Sequence, residues 1–159
     1  MSARRARSAS RADEIHTAVA TALADAEVRY TTTRRTVIDV LAATGRPLTV
    51  ADVCERAAAP QSSVYRILAT FEELGLVHRL TNDASEFARF ELAEDLLGHH
   101  HHLACARCGA MTDVILPPGL EAELDRALSR LARVQRFTVD AHRLDVIGTC
   151  ATCAKPPLP

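Results

Sequence analysis

The first half of the chain alternates apolar stripes with polar breaks in a pattern that predicts several short helices. From Asp13, apolar side chains recur at three- and four-residue intervals, which is typical of an amphipathic helix. A second helix follows the threonines at 31–33, one of which can cap it, and Pro47 lies just beyond its end. A short third helix is predicted after Thr49, because Asp52 stands three residues on and supports an N-cap there.

The fourth helix carries the first indication of a function. Ser62 or Ser63 can cap its start, and Ser63, Tyr65 and Arg66 lie on its polar face near that end. After Gly75, two short alternating segments joined by turn residues predict a β-hairpin. Helices followed by a hairpin indicate a winged helix-turn-helix domain, with a generic helical bundle as the alternative. Because recognition helices contact base edges from their first turns, Tyr65 and Arg66 favour DNA binding.

The second half predicts a smaller unit of mixed structure. Residues 93–98 resemble a hinge, and a strand through Leu103 is followed by a hairpin partner at 111–116. A helix from about Leu120 and a strand over 136–148 complete this unit. A leucine stripe on the helix suggests a dimerisation surface, with burial inside the chain as the alternative: Leu124, Leu128 and Leu131.

Composition and charge add limited constraints. With 159 residues, 48% apolar and 25% charged, the chain is expected to be globular. No apolar run approaches the roughly 18 residues that a membrane span needs, and the N-terminal stretch lacks a secretory apolar core, so we expect a cytoplasmic protein. The net charge of −1 is uninformative, but four arginines precede the first acidic residue. They form either a solvated tail or a basic arm that lies on phosphates.

The cysteines predict a structural zinc site. Four of the five form two CxxC pairs: Cys105, Cys108, Cys150 and Cys153. Each two-residue spacer lets both thiolates approach one ion at Zn–S distances near 2.3 Å, and two pairs complete a closed tetrahedral site. The alternative, a redox pair, needs only one such motif in a thioredoxin-like context. The fifth, Cys54, is expected to pack in the core.

Four consecutive histidines at 99–102 precede the first cysteine pair. In a strand, neighbouring side chains point to opposite faces, so His99 and His101 project one way and His100 and His102 the other. One run therefore predicts two separate metal half-sites. Candidates for the remaining ligands are histidines and carboxylates elsewhere in the chain: His78, Glu91, Asp113, Glu121 and His142. Neither HExxH nor the deaminase motif is present, which argues against a zinc hydrolase.

Taken together, several segments resemble the ferric uptake regulator family, over roughly residues 13–154. They are TTTRRTVIDVL, SSVYRILATFEELGLV, FEL, HHHHLACARCG and HRLDVIGTCATC. The family comprises dimeric bacterial winged-helix repressors that bind operator DNA when loaded with a metal corepressor. The resemblance implies a structural zinc on the four cysteines, base contacts from Tyr65 and Arg66 beside Ser63, and a minor-groove contact from Arg29.

The resemblance also implies two further metal sites. The regulatory site lies between the domains and takes its ligands from both: His78, Glu91, His100 and His102. The second site lies within the dimerisation domain: His99, His101, Glu121 and His142. Asp113 corresponds to a carboxylate position that some members use, so it is a possible extra ligand.

Departures from the family pattern bear on the metal. Iron and peroxide members often draw a histidine from the loop after the second helix, where this chain has Arg46 and Pro47. His78 stands where zinc-responsive members carry an acid or a histidine, although their usual wing cysteine is replaced around Glu91. Zinc is thus the favoured corepressor, with Fe(II), Mn(II) or peroxide sensing as alternatives.

The sequence therefore predicts a metal-dependent repressor of metal-uptake or metal-homeostasis genes, acting as a homodimer on double-stranded operator DNA. A zinc hydrolase and a zinc-storage module are the alternatives from other classes. The fold is expected to be α+β, a winged helix-turn-helix domain followed by a small α/β dimerisation domain. The predicted parts are a disordered basic tail at 1–12, a DNA-binding domain at 13–92, a hinge at 93–98, a dimerisation and metal-binding domain at 99–154, and a tail at 155–159.

Overall fold

The computed structural model describes residues 2–154 and forms two compact units, Met1–Gly98 and His99–Pro159. The tail predicted at 155–159 lies outside the described residues. Within the described part, none of the helices combines the length and apolar character needed to span a bilayer.

The first unit consists of helices followed by a β-hairpin, which confirms the predicted winged helix-turn-helix fold. Its elements are α1 (Ser2–Asp25), α2 (Thr32–Ala42), β1 (Leu48–Thr49), α3 (Val50–Ala57), α4 (Gln61–Glu73), β2 (Val77–Asn82), β3 (Ser85–Leu92) and α5 (Glu94–Leu97). The three strands form an antiparallel sheet in the order β1-β3-β2. The hairpin of β2 and β3 is the wing.

Two of the predicted helix caps are present, and one prediction is wrong. Thr31 caps α2, and Thr49 and Asp52 form a reciprocal capping box at the start of α3. Neither Ser62 nor Ser63 caps α4, which begins at Gln61 with Pro60 in the N-cap position. The carbonyl of Pro60 already accepts the backbone N–H of Ser63, at 2.9 Å, so the first turn closes two residues earlier than expected.

Helix α1 begins at Ser2 rather than near Asp13, so residues 2–12 have a helical backbone where the sequence predicts a disordered tail. The segment contains alanines and arginines without glycine or proline, and these residues extend a helix at little cost. The guanidinium of Arg11 also donates a hydrogen bond to the carbonyl of Leu97 at the end of α5.

The first unit has a conventional apolar core. Its buried side chains come from α1 to α4 and from the wing strands: Ile15, Val19, Leu23, Val37, Ile38, Leu41, Leu48, Val50, Val53, Val64, Ile67, Leu68, Phe71, Leu76, Val77, Phe90 and Leu92. Cys54 packs against this core, as expected. This packing fixes α4 against α2 and leaves the polar face of α4 outward.

The second unit is a three-stranded sheet with one long helix. Its elements are β4 (His101–Cys105), β5 (Met111–Val114), α6 (Pro118–Val134) and β6 (Asp145–Gly148). Strand β4 is central, antiparallel to β5 and parallel to β6. The strand predicted over 136–148 is therefore much shorter, because residues 137–144 cross from the end of α6 to the far side of β4 before pairing begins.

The apolar core of the second unit is very small. Among the described residues, its buried apolar side chains are only Ala104, Cys105 and Met111, whereas three of its histidines are also buried. So few apolar contacts cannot balance the conformational entropy of ordering such a unit. Other interactions must hold it together, and potential metal ligands occupy its interior.

Candidate metal centres and nucleic-acid interface

The four cysteines of the CxxC pairs converge at one end of the second unit. Cys105 ends β4 and Cys108 lies in the turn after it, while Cys150 and Cys153 follow β6. Because β4 and β6 are neighbouring parallel strands, the two pairs meet at the same end of the sheet. Their four sulfur atoms all lie within 4.8 Å of one another.

The spacing of these sulfurs suits a tetrahedral metal ion. Sγ of Cys108 lies 3.8 Å from Sγ of Cys150, far from a disulfide bond, and a tetrahedron with Zn–S bonds near 2.3 Å has edges of about 3.8 Å. Backbone N–H groups of Cys150, Cys108 and Arg107 lower the pKa of Cys105 to about 6. Shared thiol hydrogen bonds raise the pKa of Cys153 to about 12. Without a cation, the two thiols therefore differ in how readily they ionise. A bound divalent cation would deprotonate both, because a thiol that coordinates a metal loses its proton.

A second cluster of ligands surrounds Glu121, in the first turn of α6. Nε2 of His99, His101 and His142 lies 3.1, 3.0 and 2.9 Å, respectively, from an oxygen of this one carboxylate. The hydrogen bond with His101 lowers the pKa of Glu121 below its usual range, so the carboxylate is ionised at neutral pH. The prediction that His99 and His101 share one face agrees with this geometry.

Features around this cluster are those of a ligand site rather than of ordinary packing. The side chain of His101 is 1% exposed, yet its Nδ1 has no hydrogen-bond partner among the described residues. Such an unsatisfied buried nitrogen is costly, and a metal site is one setting in which proteins tolerate it. On the outer side, Nδ1 of His142 lies 3.4 Å from Oδ1 of Asp125, one helical turn after Glu121. Asp125 was not predicted from the sequence, although it follows Glu121 by four residues and therefore lies on the same face of the helix.

A third group of ligands lies on the opposite face of β4. His100 and His102 stack edge to face with ring centroids 5.1 Å apart, and both are buried. The ligand atoms of His100, His102 and Asp113 lie within 4.8 Å of one another. Histidine nitrogen and carboxylate oxygen together suit zinc, iron or manganese. Asp113, predicted only as an extra ligand, is therefore a full member of this group in the second unit.

The ligands predicted from the first unit are placed on the wing. His78 on β2 and Glu91 on β3 are direct partners in the antiparallel register. Glu91 is buried, whereas the imidazole of His78 is exposed and is not among the ligand clusters found in the described residues. Both remain predicted ligands of the regulatory site.

The outward face of α4 carries the residues predicted to contact DNA. Tyr65 is 52% exposed and Arg66 is exposed, because the buried positions of this helix lie on its other face. A groove of about 490 Å³ runs beside Arg66 and is lined by residues of α4 and of the start of α2, including Ser63 and Arg34. Arg34 donates a hydrogen bond of 2.7 Å to the carbonyl of Arg29, whose own side chain is exposed. This surface offers cations and hydroxyls of the kind that contact phosphates and bases.

Known proteins share both the sequence pattern and the fold. The peroxide operon regulator of Bacillus subtilis (strain 168) is 37% identical over 95 residues, 59% of each chain. The ferric uptake regulation protein of Cupriavidus metallidurans is 35% identical over 89 residues, 56% of this chain and 57% of that protein. The chain thus matches less than two thirds of the length of these relatives.

Solved structures show the same fold over nearly the whole chain. The Helicobacter pylori ferric uptake regulator, described as having three functional metal binding sites, aligns with a TM-score of 0.73 at 20% identity, covering 92% of this chain and 96% of that chain. A zinc uptake regulator complexed with zinc and DNA aligns with a TM-score of 0.53 at 21% identity, covering 89% and 94%.

Residues 25–147 match the sequence model of the Ferric uptake regulator family. This range includes α4, the wing, both histidine groups and the first cysteine pair. The chain therefore belongs to the Ferric uptake regulator family, whose members are metal-responsive transcriptional regulators and not enzymes.

Proposed function

We propose that this chain is a metal-dependent transcriptional repressor that acts in the cytoplasm as a homodimer on double-stranded operator DNA. One observation carries the proposal: the histidines on opposite faces of β4 reach two different ligand groups, in a chain whose other unit presents an exposed recognition helix. A storage module would have no use for that helix.

Three metal sites are proposed. The four cysteines hold a structural zinc, which links the ends of β4 and β6 where the apolar core is too small to do so. His99, His101, Glu121 and His142 form a second site. His100, His102 and Asp113 form the regulatory site, to which the first unit contributes Glu91 and, as the sequence predicts, His78. When bound, the regulatory metal joins ligands from both units and so restricts their relative orientation.

Repression follows from that restriction. In a dimer, the orientation of the two units sets the separation of the two recognition helices, which must match half-sites about one helical turn apart. A metal that binds the DNA-competent orientation better shifts the population toward it. Moving the population from mostly incompetent to mostly competent takes about 5.5 kcal/mol of differential binding, within reach of three or four ligands.

Dimerisation is supported by the surface of the second unit. Several large apolar side chains are exposed there although the unit buries few: Leu103, Ile115, Leu120, Leu131, Val134, Phe137, Val139, Val146 and Ile147. Val146 and Ile147 lie on β6, an edge strand whose outer backbone groups pair with none of the strands in residues 2–154. Exposed apolar surface of this extent marks an interaction site, and a second copy would cover both it and the edge.

The regulatory metal is proposed to be zinc. The loop position that supplies a histidine in many iron and peroxide sensors holds Arg46, whose guanidinium lies 3.8 Å from the carboxylate of Asp52. A cation in that position cannot be a ligand. Fe(II) and Mn(II) remain the competing ions, since the histidine and carboxylate donors accept all three.

The proposal is tested by a mobility shift on the protein's own promoter region. The protein, loaded with structural zinc only, is titrated with Zn(II), Fe(II) or Mn(II), and operator affinity is followed. We expect Zn(II) to raise the affinity by tenfold or more. His102→Ala should lose this response while retaining the structural zinc, and Arg66→Ala should lose operator binding while retaining all metal sites. A shift that is independent of added metal contradicts the repressor mechanism.

A further inference from the structure

His102 stands between two carboxylates at the centre of the second unit's sheet. It lies on the middle strand β4. Its register partners are Asp113 on β5 and Asp145 on β6. The side chain of His102 is only 2% exposed. Sequence reasoning assigned Asp113 as a possible ligand but gave no role to Asp145.

The two nitrogens of this imidazole face different carboxylates. Nδ1 lies 3.1 Å from Oδ1 of Asp145, at hydrogen-bonding distance, whereas Nε2 lies 3.9 Å from Oδ1 of Asp113. An ionised carboxylate can only accept a hydrogen bond, so the proton of a neutral imidazole resides on Nδ1. In the Nδ1–H tautomer, Nε2 is the nitrogen that would bind a cation, and it lies on the side of Asp113.

Asp145 is itself held in place. The guanidinium of Arg143 donates to its other oxygen, Oδ2, through Nη2 at 2.6 Å and Nε at 3.1 Å. Arg143, Asp145 and His102 thus form a chain of charge-assisted hydrogen bonds that ends at Nε2.

We infer that Asp145 is a positioning residue for the regulatory metal: it fixes the Nδ1–H tautomer and ring orientation of His102 so that Nε2 is ready for the ion. The inference rests on the proposed function, because it takes His102 to be a regulatory ligand. A histidine that binds a metal through one nitrogen and donates the other N–H to a carboxylate has a fixed tautomer and is a stronger base. Loss of such a partner lowers metal affinity by about 10- to 100-fold.

Metal affinity provides the first test. The full-length protein with structural zinc in place is titrated with Co(II), whose absorption reports coordination, and with Zn(II) against a chromophoric chelator. Asp145→Asn and Asp145→Ala are expected to weaken regulatory-site binding by about 10- to 100-fold. The matched control is Asp140→Asn, which removes the same charge from an exposed position in the same unit. It should leave the affinity within about twofold of the parent.

The tautomer of His102 provides a second test, which a merely structural role would not affect. In the metal-free regulatory site, nitrogen NMR shifts of His102 should report the Nδ1–H form in the parent protein. The same spectrum should show a mixture of both tautomers in Asp145→Ala. Retention of the structural zinc and an unchanged melting temperature would show that the variants are folded. If Asp145→Ala is not folded, the same spectrum is recorded for Asp145→Asn.

Metal binding by His102→Ala distinguishes a wrong positioning role for Asp145 from a wrong regulatory site. If His102→Ala abolishes regulatory metal binding but both Asp145 variants bind within twofold of the parent and keep the Nδ1–H form, the positioning role is wrong. If His102→Ala itself binds metal normally, the proposed regulatory site is wrong as well. If Asp145→Asn lowers the affinity and Asp140→Asn does not, the positioning role stands.

Discussion

His16 and Asp39 join α1 to α2 through a hydrogen bond of 2.7 Å between Nε2 and Oδ1. The other nitrogen of His16, Nδ1, lies 2.5 Å from the hydroxyl of Tyr30 in the connection between these helices. Burial raises the pKa of Tyr30 to about 12, so its phenol remains protonated and can donate to His16. Arg35 stacks over the Tyr30 ring at 5.1 Å. One buried imidazole thus fixes the segment next to Arg29.

Replacing His16 should destabilise the first unit. His16→Ala leaves the partly buried Tyr30 hydroxyl without its partner and opens a cavity, at a cost of about 2 kcal/mol. Urea denaturation of the protein that carries only its structural zinc measures the loss, so that regulatory-site ligands do not contribute through a bound metal. The exposed His78 is the matched control, and His78→Ala should change the free energy of unfolding by less than about 0.5 kcal/mol. Equal effects of the two variants would show that the His16 network adds nothing to stability.

Removal of the structural zinc should unfold the second unit selectively. Because that unit buries only three apolar side chains in the described residues, we expect binding of the proposed zinc to provide much of its folding free energy. We expect a strong chelator, or Cys108→Ser, to abolish hydrogen-exchange protection in β4 and β6. Protection in α4 should persist, since α4 packs in the apolar core of the first unit, which contains none of the four zinc-site cysteines.

Cys54→Ala is the control for this experiment, because Cys54 packs against the core of the first unit. It should bind one structural zinc with the parent's affinity. Persistence of protection in β4 and β6 after complete zinc removal would contradict a structural role for the ion.

The capping box of α3 should make the stability of the first unit pH-dependent. Burial acts to raise the pKa of Asp52, but hydrogen bonds from Thr49 and the charge of Arg46 outweigh it, so the pKa is lowered in the folded state. A lowered pKa stabilises the fold above the unfolded-state value near 4, and this contribution disappears as the pH falls through the folded-state value. Asp52→Asn should therefore lose stability at pH 7 and little at pH 2, by urea denaturation.

The control for the pH experiment is Asp25→Asn, at the end of α1, where the side chain is exposed. It should show the parent's change in stability between pH 7 and pH 2. If Asp52→Asn retains the parent's full pH dependence between these values, the capping box is not its source.

Local patterns in the sequence predicted much of the molecule. The helices, the wing and the convergence of the four cysteines follow from apolar spacing and CxxC motifs. The two-residue period of a strand was enough to predict that the side chains of His99 to His102 alternate between its two faces. Asp145 could not be found in this way, because its role depends on β6 pairing with β4 in a register that places it beside His102. The serine cap predicted for α4 is wrong, because the helix begins earlier, with Pro60 in the N-cap position. Backbone geometry decides that start, and the pattern of residue types does not reveal it.

Residues 142–145 connect the two histidine sites. His142 belongs to the cluster around Glu121, whereas Asp145, three residues later, holds His102 on the opposite face of β4. A metal at the proposed second site would fix His142 and thereby restrict the segment that carries Asp145. We expect a second-site metal to strengthen binding at the regulatory site by about fivefold or more, in the usual range of coupling between sites.

A double-mutant cycle tests whether this coupling passes through Asp145. Regulatory-site affinity is measured for the parent, His142→Ala, Asp145→Asn and the double variant, all with structural zinc bound. If His142 acts through Asp145, His142→Ala should weaken binding in the parent but have little further effect once Asp145 is replaced. Independent effects would add to within about 0.5 kcal/mol and would contradict this route. The cycle is informative because neither residue is a ligand of the regulatory site, so a non-additive result reports the segment between them.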